Sequence, residues 1–185
     1  IDWIKPYTQV KDTSFEADDL HIRWYEDGTL NACYNCVDRH LESKGDLPAI
    51  IWEGDDPSVS ETVTYRQLHE KVCKLANALK ARGLSEGDRV GTFMWNSTRH
   101  LEAYLAVPSM GGVLHTLNCR LSAEHVAYII NHAGDRFLIV DGRLLGSFLP
   151  ILPLIPDVEC LIVTGNGQDS DASLNDPRMV SYEHI

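Results

Sequence analysis

The chain has 185 residues, 44% of them hydrophobic and 23% charged, a globular composition that suits one large domain or one domain with an appendage. With 27 acidic against 16 basic residues its formal charge is −11, which argues against nucleic acid and anionic membrane surfaces, because phosphate neutralisation needs clustered Lys and Arg. The uncharged stretch from Leu144 to Pro156 is too short to span a bilayer and is interrupted by Pro150, Pro153 and Pro156, so no transmembrane helix is expected.

The first stretch, through Trp3, Trp24 and Tyr25, has no sustained period, and the turn pair Asp27-Gly28 closes it. Leu30, Cys33, Val37 and Leu41 then recur at three- and four-residue steps, which predicts an amphipathic helix over 31–43 that ends near Gly45. Residues before about Gly45 thus read as a helical or irregular extension. From Pro48 an apolar run, Ala49-Ile50-Ile51-Trp52, a polar turn over 53–57 and the alternating Thr62-Val63-Thr64 predict a hairpin. Thr64 with Gln67 matches a capping box, and Leu68, Val72, Leu75, Ala76 and Leu79 carry a helix to Gly83.

Beyond this helix, apolar runs alternate with helical patterns. Strands are predicted at 89–95, 112–117, 136–140 and 159–163, with helices starting from Ser97, Ser122 and Leu144. Leu121 is placed to staple onto Val126, while Val126, Ile129, Ile130 and Ala133 form an inward face. Such alternation implies right-handed βαβ crossovers and an α/β fold with a largely parallel sheet covered on both faces. The runs Phe137-Leu138-Ile139-Val140 and Cys160-Leu161-Ile162-Val163 need neighbours on both edges; with later strands missing, self-association through an unpaired edge is expected. The polar stretch from Gly165 to Pro177 reads as a surface loop.

Five cysteines, scattered through apolar segments, resemble reduced core thiols more than a disulfide framework and point to a reducing compartment, cytoplasm or mitochondrial matrix. Cys33-x-x-Cys36 falls within the predicted helix and has no second ligand pair at metal spacing, so core packing is expected and no metal site. Gly165-x-Gly167 follows a strand, but position 170 is Ser and no helix pattern opens there, so it reads as a turn rather than a dinucleotide loop. No Walker-type Gly-x-x-x-x-Gly-Lys-Ser/Thr run occurs. The eight histidines show neither metal-ligand spacing nor a nucleophile elbow nearby. His115, on a predicted buried strand, and Asn118 and Arg120, at its C-terminal end, are the candidate binding residues, because open α/β sheets bind ligands at that edge. The plainer alternatives are a satisfied core histidine and a loop that caps the next helix. No catalytic residue can be named, and composition and periodicity do not specify a reaction.

Longer motifs carry further. Trp24-Tyr25-Glu26-Asp27-Gly28-Thr29-Leu30-Asn31, Asn35-Cys36-Val37-Asp38-Arg39-His40-Leu41, the run from Ala49 to Asp56, and Tyr65-Arg66-Gln67-Leu68-His69 resemble acetyl-CoA synthetases. After Gly87-Asp88-Arg89-Val90 the chain instead resembles medium- and long-chain fatty acyl-CoA synthetases, in Trp95-Asn96, Arg99 to Tyr104, Met110-Gly111, Val113 to Asn118 and Ile129 to Asp135. Residues 1–90 and 91–185 thus resemble two branches of the adenylate-forming superfamily. The resemblance implies an N-terminal extension over 1–45 and, over 46–185, an incomplete part of the large AMP-binding domain.

It also implies a parent reaction in which a carboxylate, acetate or a fatty acid, is joined to ATP with Mg2+ and then passed to CoA. The family's Ser/Thr/Gly-rich phosphate loop, adenine contacts, ribose-binding Asp and adenylation Lys have no counterpart here. The expectation is therefore a fragment that is inactive and binds no cofactor by itself. Cys119 stands where the fatty acyl branch usually has Pro, and Arg143 does not match the context of the acetyl branch's CoA-binding arginines. A stand-alone α/β binding or scaffold module is the alternative.

Overall fold

The computed structural model describes residues 1–165 and 176–185. The first 30 residues contain an antiparallel hairpin, β1 (Lys11–Ser14) and β2 (His21–Trp24), where the sequence suggested helix or irregular chain. No residue of these four-residue strands is buried, so no buried face imposes the alternation by which a strand is recognised. Trp3, Tyr7 and Tyr25 pack together beside them, with the Tyr7 and Tyr25 rings 4.7 Å apart. The turn at Asp27-Gly28 is present, closed by Gly28 N–H donating to the Tyr25 carbonyl.

The single helix predicted over 31–43 is three short pieces: α1 (Ala32–Cys36), a 3-10 turn (Asp38–His40) and α2 (Leu41–Lys44). Asn31 caps α1 by accepting from Tyr34 N–H, and Val37 breaks it by leaving helical geometry. Cys33 and Val37 are buried, but Cys36 is exposed, so the expectation of core packing holds for one cysteine of the pair and fails for the other. A break at Val37 changes which residues share a face.

The second hairpin forms as predicted, from β3 (Pro48–Glu53) and β4 (Ser60–Thr64). It leads into α3 (Tyr65–Ala81), where Thr64 and Gln67 make the reciprocal capping box and Gly83, at φ +90, follows the end. Then come β5 (Arg89–Phe93), α4 (Thr98–Ser109), β6 (Val113–Thr116), α5 (Ala123–Ala133) and β7 (Asp135–Asp141). Ser97 and Ser122 cap the two helices, and Gly134 ends α5 in the left-handed conformation. Leu121, at the position expected to staple onto Val126, stays 39% exposed. The helix expected from Leu144 is only α6 (Leu145–Phe148), between 3-10 turns at Gly142–Leu144 and Leu149–Leu154. Pro150 and Pro153 lack the N–H that a continuous helix would need. The chain ends with β8 (Cys160–Thr164) and β9 (Met179–Ser181). The loop assigned from sequence to 165–177, with its Gly165-x-Gly167 turn, lies mostly outside the described residues.

Five parallel strands form one sheet in the order β6-β5-β7-β8-β9. Alternate residues of the central strands feed two cores, one on each face. Val90, Phe137, Ile139, Cys160 and Ile162 meet α3 and α4 through Leu75, Leu79, Ala103 and Val107. Phe93, Leu138, Val140, Leu161 and Val163 meet α5 and α6 through Val126, Ile130 and Phe148. Full burial of each large side chain contributes about 1.5–3 kcal/mol, so this double layer dominates the stability of the α/β part.

β7 and β8 do not lack neighbours. β7 lies between β5 and β8, and β8 between β7 and β9, so the later strands thought necessary to flank them are supplied within the chain. β9 escaped sequence reading because three residues are too few for a periodic signal. The edges that remain, β6 and β9, are four and three residues long, and short edge strands offer little to intermolecular pairing.

Candidate functional site

From β5 the chain crosses to β6 on one side, then returns past β5 to β7 on the other. That reversal makes the C-terminal ends of β5 and β7 the topological switch point, the place where ligands bind in open α/β sheets. The loops reaching this edge carry Trp95 and Asn96 after β5, Asn118 to Arg120 after β6, and Asp141 to Arg143 at the end of β7.

Asp141 is the buried acid of this edge, 2% exposed. Its carboxylate accepts from Arg143 Nε at 2.9 Å, from Nη2 at 2.6 Å and from the backbone N–H at 3.0 Å. Burial would raise its pKa, but these hydrogen bonds from Arg143 hold the carboxyl below the usual range. The pair is a charge-assisted fork that keeps Asp141 ionised and holds Arg143 at this edge. The Arg143 guanidinium remains half exposed, and Asp55, on the turn between β3 and β4, adds to its electrostatic stabilisation. The Trp52 indole donates to the Asn96 carbonyl at 3.3 Å, which ties the second hairpin to the same edge.

Asn118 and Arg120 do reach this edge together. Asn118 Oδ1 accepts from Arg120 N–H at 3.0 Å, an Asx turn that shapes the loop ahead of α5. The Arg120 guanidinium lies 5.6 Å from the Trp95 ring centroid, in cation–π range. Between them, Cys119 Sγ is 3.6 Å from the Met94 carbonyl, and burial pushes its thiol pKa up, so it is a poor nucleophile. His115 is separated from this group. Its Nδ1 contacts the Asp135 carboxylate at 2.8 and 3.0 Å, and Asp135 stands at the opposite, N-terminal end of β7.

Asp141 and His100 were not singled out from sequence, Trp95 entered only as part of a family motif, and Arg143 was set aside as a match to CoA-binding arginines. An acidic residue that closes a fully apolar strand, as in Phe137-Leu138-Ile139-Val140-Asp141, was the available signal, since such a residue ends at the ligand-binding edge. His100 Nε2 lies 3.0 Å from Thr92 Oγ1, and burial lowers its pKa. Chemically, the edge presents two guanidiniums and one ionised, already paired carboxylate, an arrangement able to receive an anionic group. Among the described residues, no three His, Cys, Asp or Glu side chains gather in a way that could hold a metal ion, and no helix is long and apolar enough to cross a membrane.

Fold and edge together define a doubly wound α/β protein with strand order 2-1-3-4-5 within the sheet. The chain belongs to the AMP-binding enzyme family, whose model matches residues 37–181; residues 1–36 match the model of the acetyl-coenzyme A synthetase N-terminus. It is 55% identical over 148 residues to an acetyl-coenzyme A synthetase of Parvibaculum lavamentivorans, covering 80% of this chain and 23% of that protein. Acetyl-coenzyme A synthetases of Shewanella amazonensis, 50% identical over 153 residues, and Photobacterium profundum, 52% over 159, are matched over 82% and 85% of this chain and 24% of each relative. The chain thus spans about a quarter of the length of the curated relatives it matches. A match of 148 residues is too long to fit within residues 1–90, so the likeness to acetyl-coenzyme A synthetases continues past Val90, where the sequence motifs suggest a change of branch.

Proposed function

We propose that the chain is the N-terminal part of an AMP-forming acyl-CoA synthetase, with acetate as the carboxylate of the parent enzyme, and that these 185 residues alone do not catalyse the reaction. The observation that carries this reading is the unbroken succession of the two family matches, over 1–36 and 37–181. In the parent enzyme, the carboxylate and ATP would form an acyl-adenylate with release of pyrophosphate, with Mg2+ present, and CoA would then take the acyl group. This chain's share is structural: residues 1–45 act as an extension, and 46–185 begin the AMP-binding domain. Asn118, Arg120 and Arg143 would stand at its ligand-facing edge, whereas His115 would serve the sheet. Adenylation needs a cradle for the phosphates and a cation against developing charge, and the resemblance assigns both to segments that have no counterpart in this sequence. The cytoplasm is the proposed location; the named relatives, all bacterial, lend the mitochondrial matrix no support.

The test is carboxylate-dependent ATP–pyrophosphate exchange. The 185-residue chain should give none with acetate or octanoate, whereas a polypeptide extended at its C-terminus to the relatives' length should give exchange with acetate. Exchange by the short chain, or none by a folded extended one, would overturn the proposal.

A further inference from the structure

The strap of residues 94–97 between β5 and α4 is held at the switch-point edge from three directions. The Trp52 indole of the second hairpin donates to the Asn96 carbonyl at 3.3 Å. The Trp95 N–H faces the buried Asp141 carboxylate at the end of β7, and the Trp95 carbonyl faces the imidazole of His100. The Trp95 ring, 39% exposed, in turn carries the Arg120 guanidinium. A histidine, the side chain whose charge changes most readily near neutral pH, thus stands behind the residue that positions Arg120.

The surroundings of His100 suit its neutral form. Its Nε2 lies 3.0 Å from Oγ1 of Thr92, a buried hydroxyl with no other hydrogen-bond partner among the described residues. A neutral imidazole serves both neighbours, since one nitrogen donates to the Trp95 carbonyl while Nε2 accepts from the hydroxyl. An imidazolium has two donors and no acceptor, so the Thr92 O–H would be left buried without a partner, which is costly. The position in the helix adds a second penalty. His100 is the third residue of the 12-residue α4, its N–H donating to the capping Ser97 hydroxyl, and a cation there opposes the helix dipole. Burial acts in the same direction and lowers the pKa, while the Trp95 carbonyl and the charge of Asp141 favour protonation. Arg99, before it on α4, is paired with Glu183, and Tyr104, one turn on, packs against the ring at 5.1 Å.

We propose that His100 is a proton-operated latch on the Trp95 strap: neutral, it bridges Thr92 and the Trp95 carbonyl and holds Trp95 against Arg120; protonated, it withdraws from Thr92, and Trp95 and Arg120 part. In mild acid the edge then loses the position of one of its two guanidiniums, while Arg143, forked to Asp141, keeps its own. What this change regulates rests on the proposed reading of the edge as ligand-facing; the latch itself does not, and its test needs no ligand.

The test is NMR of the 185-residue chain from about pH 7.5 to about pH 5, following the His100 ring, the indole N–H groups of the four tryptophans and the nuclear Overhauser contacts between Trp95 and the Arg120 side chain. His100 should titrate with a midpoint below 6.5. The Trp95 indole shift and the loss of its contacts with Arg120 should follow the same midpoint, while Trp3, packed with Tyr7 and Tyr25, should not. His100→Gln keeps a donor and an acceptor but does not titrate, so the contacts should persist throughout. Thr92→Val removes the hydroxyl that protonation would strand, so the midpoint should rise by roughly half a unit or more, the equivalent of one ordinary hydrogen bond. Either variant alone decides if the other does not fold. Titration of His100 that leaves Trp95 on Arg120 would overturn the proposal, as would a Trp95 transition that persists in His100→Gln, an unmoved midpoint in Thr92→Val, or a His100 midpoint at or above 6.5. Movement of all four indoles together, the mark of general unfolding, would overturn it as well.

Discussion

His115 on β6 reaches over the intervening strand β5 to place its Nδ1 2.8 Å from Oδ2 of Asp135 on β7, and the residue of β5 paired with His115 is Gly91. Asp135 is 3% exposed. Burial raises its pKa, and the hydrogen bond and charge of His115 oppose that rise. The histidine singled out from sequence as a candidate binder is therefore the partner that makes a buried carboxylate tolerable.

Removing the partner should expose the cost. His115→Leu leaves the Asp135 carboxylate buried without its imidazole, and a loss of about 1–3 kcal/mol is expected. Asp135→Asn removes the charge, so the double variant should be more stable than the sum of the two single losses by at least about 0.5 kcal/mol. Urea denaturation of the four proteins measures this coupling; additive losses would mean that the pair contributes nothing as a unit.

Gly91 is needed for space. A Cβ there would stand 2.4 Å from Leu138 Cδ2 and 2.9 Å from Asp135 Oδ2, and Leu138 is fully buried with nowhere to swing. Gly91→Ala should therefore destabilise the chain by about 1–3 kcal/mol, the usual range for overpacking a core. A urea midpoint equal to that of the parent chain would show that the sheet can relax around the methyl group.

His100 gives stability a pH dependence. Burial lowers its pKa below 6.5 in the folded chain, so below that pH the unfolded state binds a proton that the folded state resists. The contribution is present in full above pH 6.5 and is lost as pH falls through that value towards the lower folded pKa. One proton sets a limiting slope of about 1.4 kcal/mol per pH unit. Between pH 7.5 and 5.5 the parent should lose more stability than His100→Gln, a variant that does not titrate; parallel profiles would contradict the assignment.

The two cysteines of Cys33-x-x-Cys36 should differ in reactivity. Cys36 is exposed, whereas Cys33 is 4% exposed and its thiol is pushed up to about 12, chiefly by burial and then by the charge of Asp38. Iodoacetamide at pH 8 should modify Cys36 well before Cys33, because only the thiolate attacks and access is also required. Peptide mass spectrometry reads the order, and equal rates would place Cys33 outside the core.

The sequence alone determined the local features whose signals are short-range. The capping box of Thr64 and Gln67, the helix starts at Ser97 and Ser122, the second hairpin and the apolar runs of β7 and β8 all appear where pattern and turn chemistry put them. Each rests on contacts within a few residues, or on a burial pattern that neighbouring side chains share. Tertiary structure decided what depends on partners distant in the chain. The exposed hairpin of β1 and β2 and the three-residue strand β9 are held by pairing rather than by any pattern of their own. Asp141 owes its importance to the reversal of strand order beside β5, and the role of His115 depends on Asp135, 20 residues away. The contact of Glu102 on α4 with the Tyr182 hydroxyl joins residues 80 positions apart. A one-dimensional pattern can show that a residue is buried or charged. Only the crossing of the chain decides which charges meet, because that is set by strand order and not by spacing along the sequence.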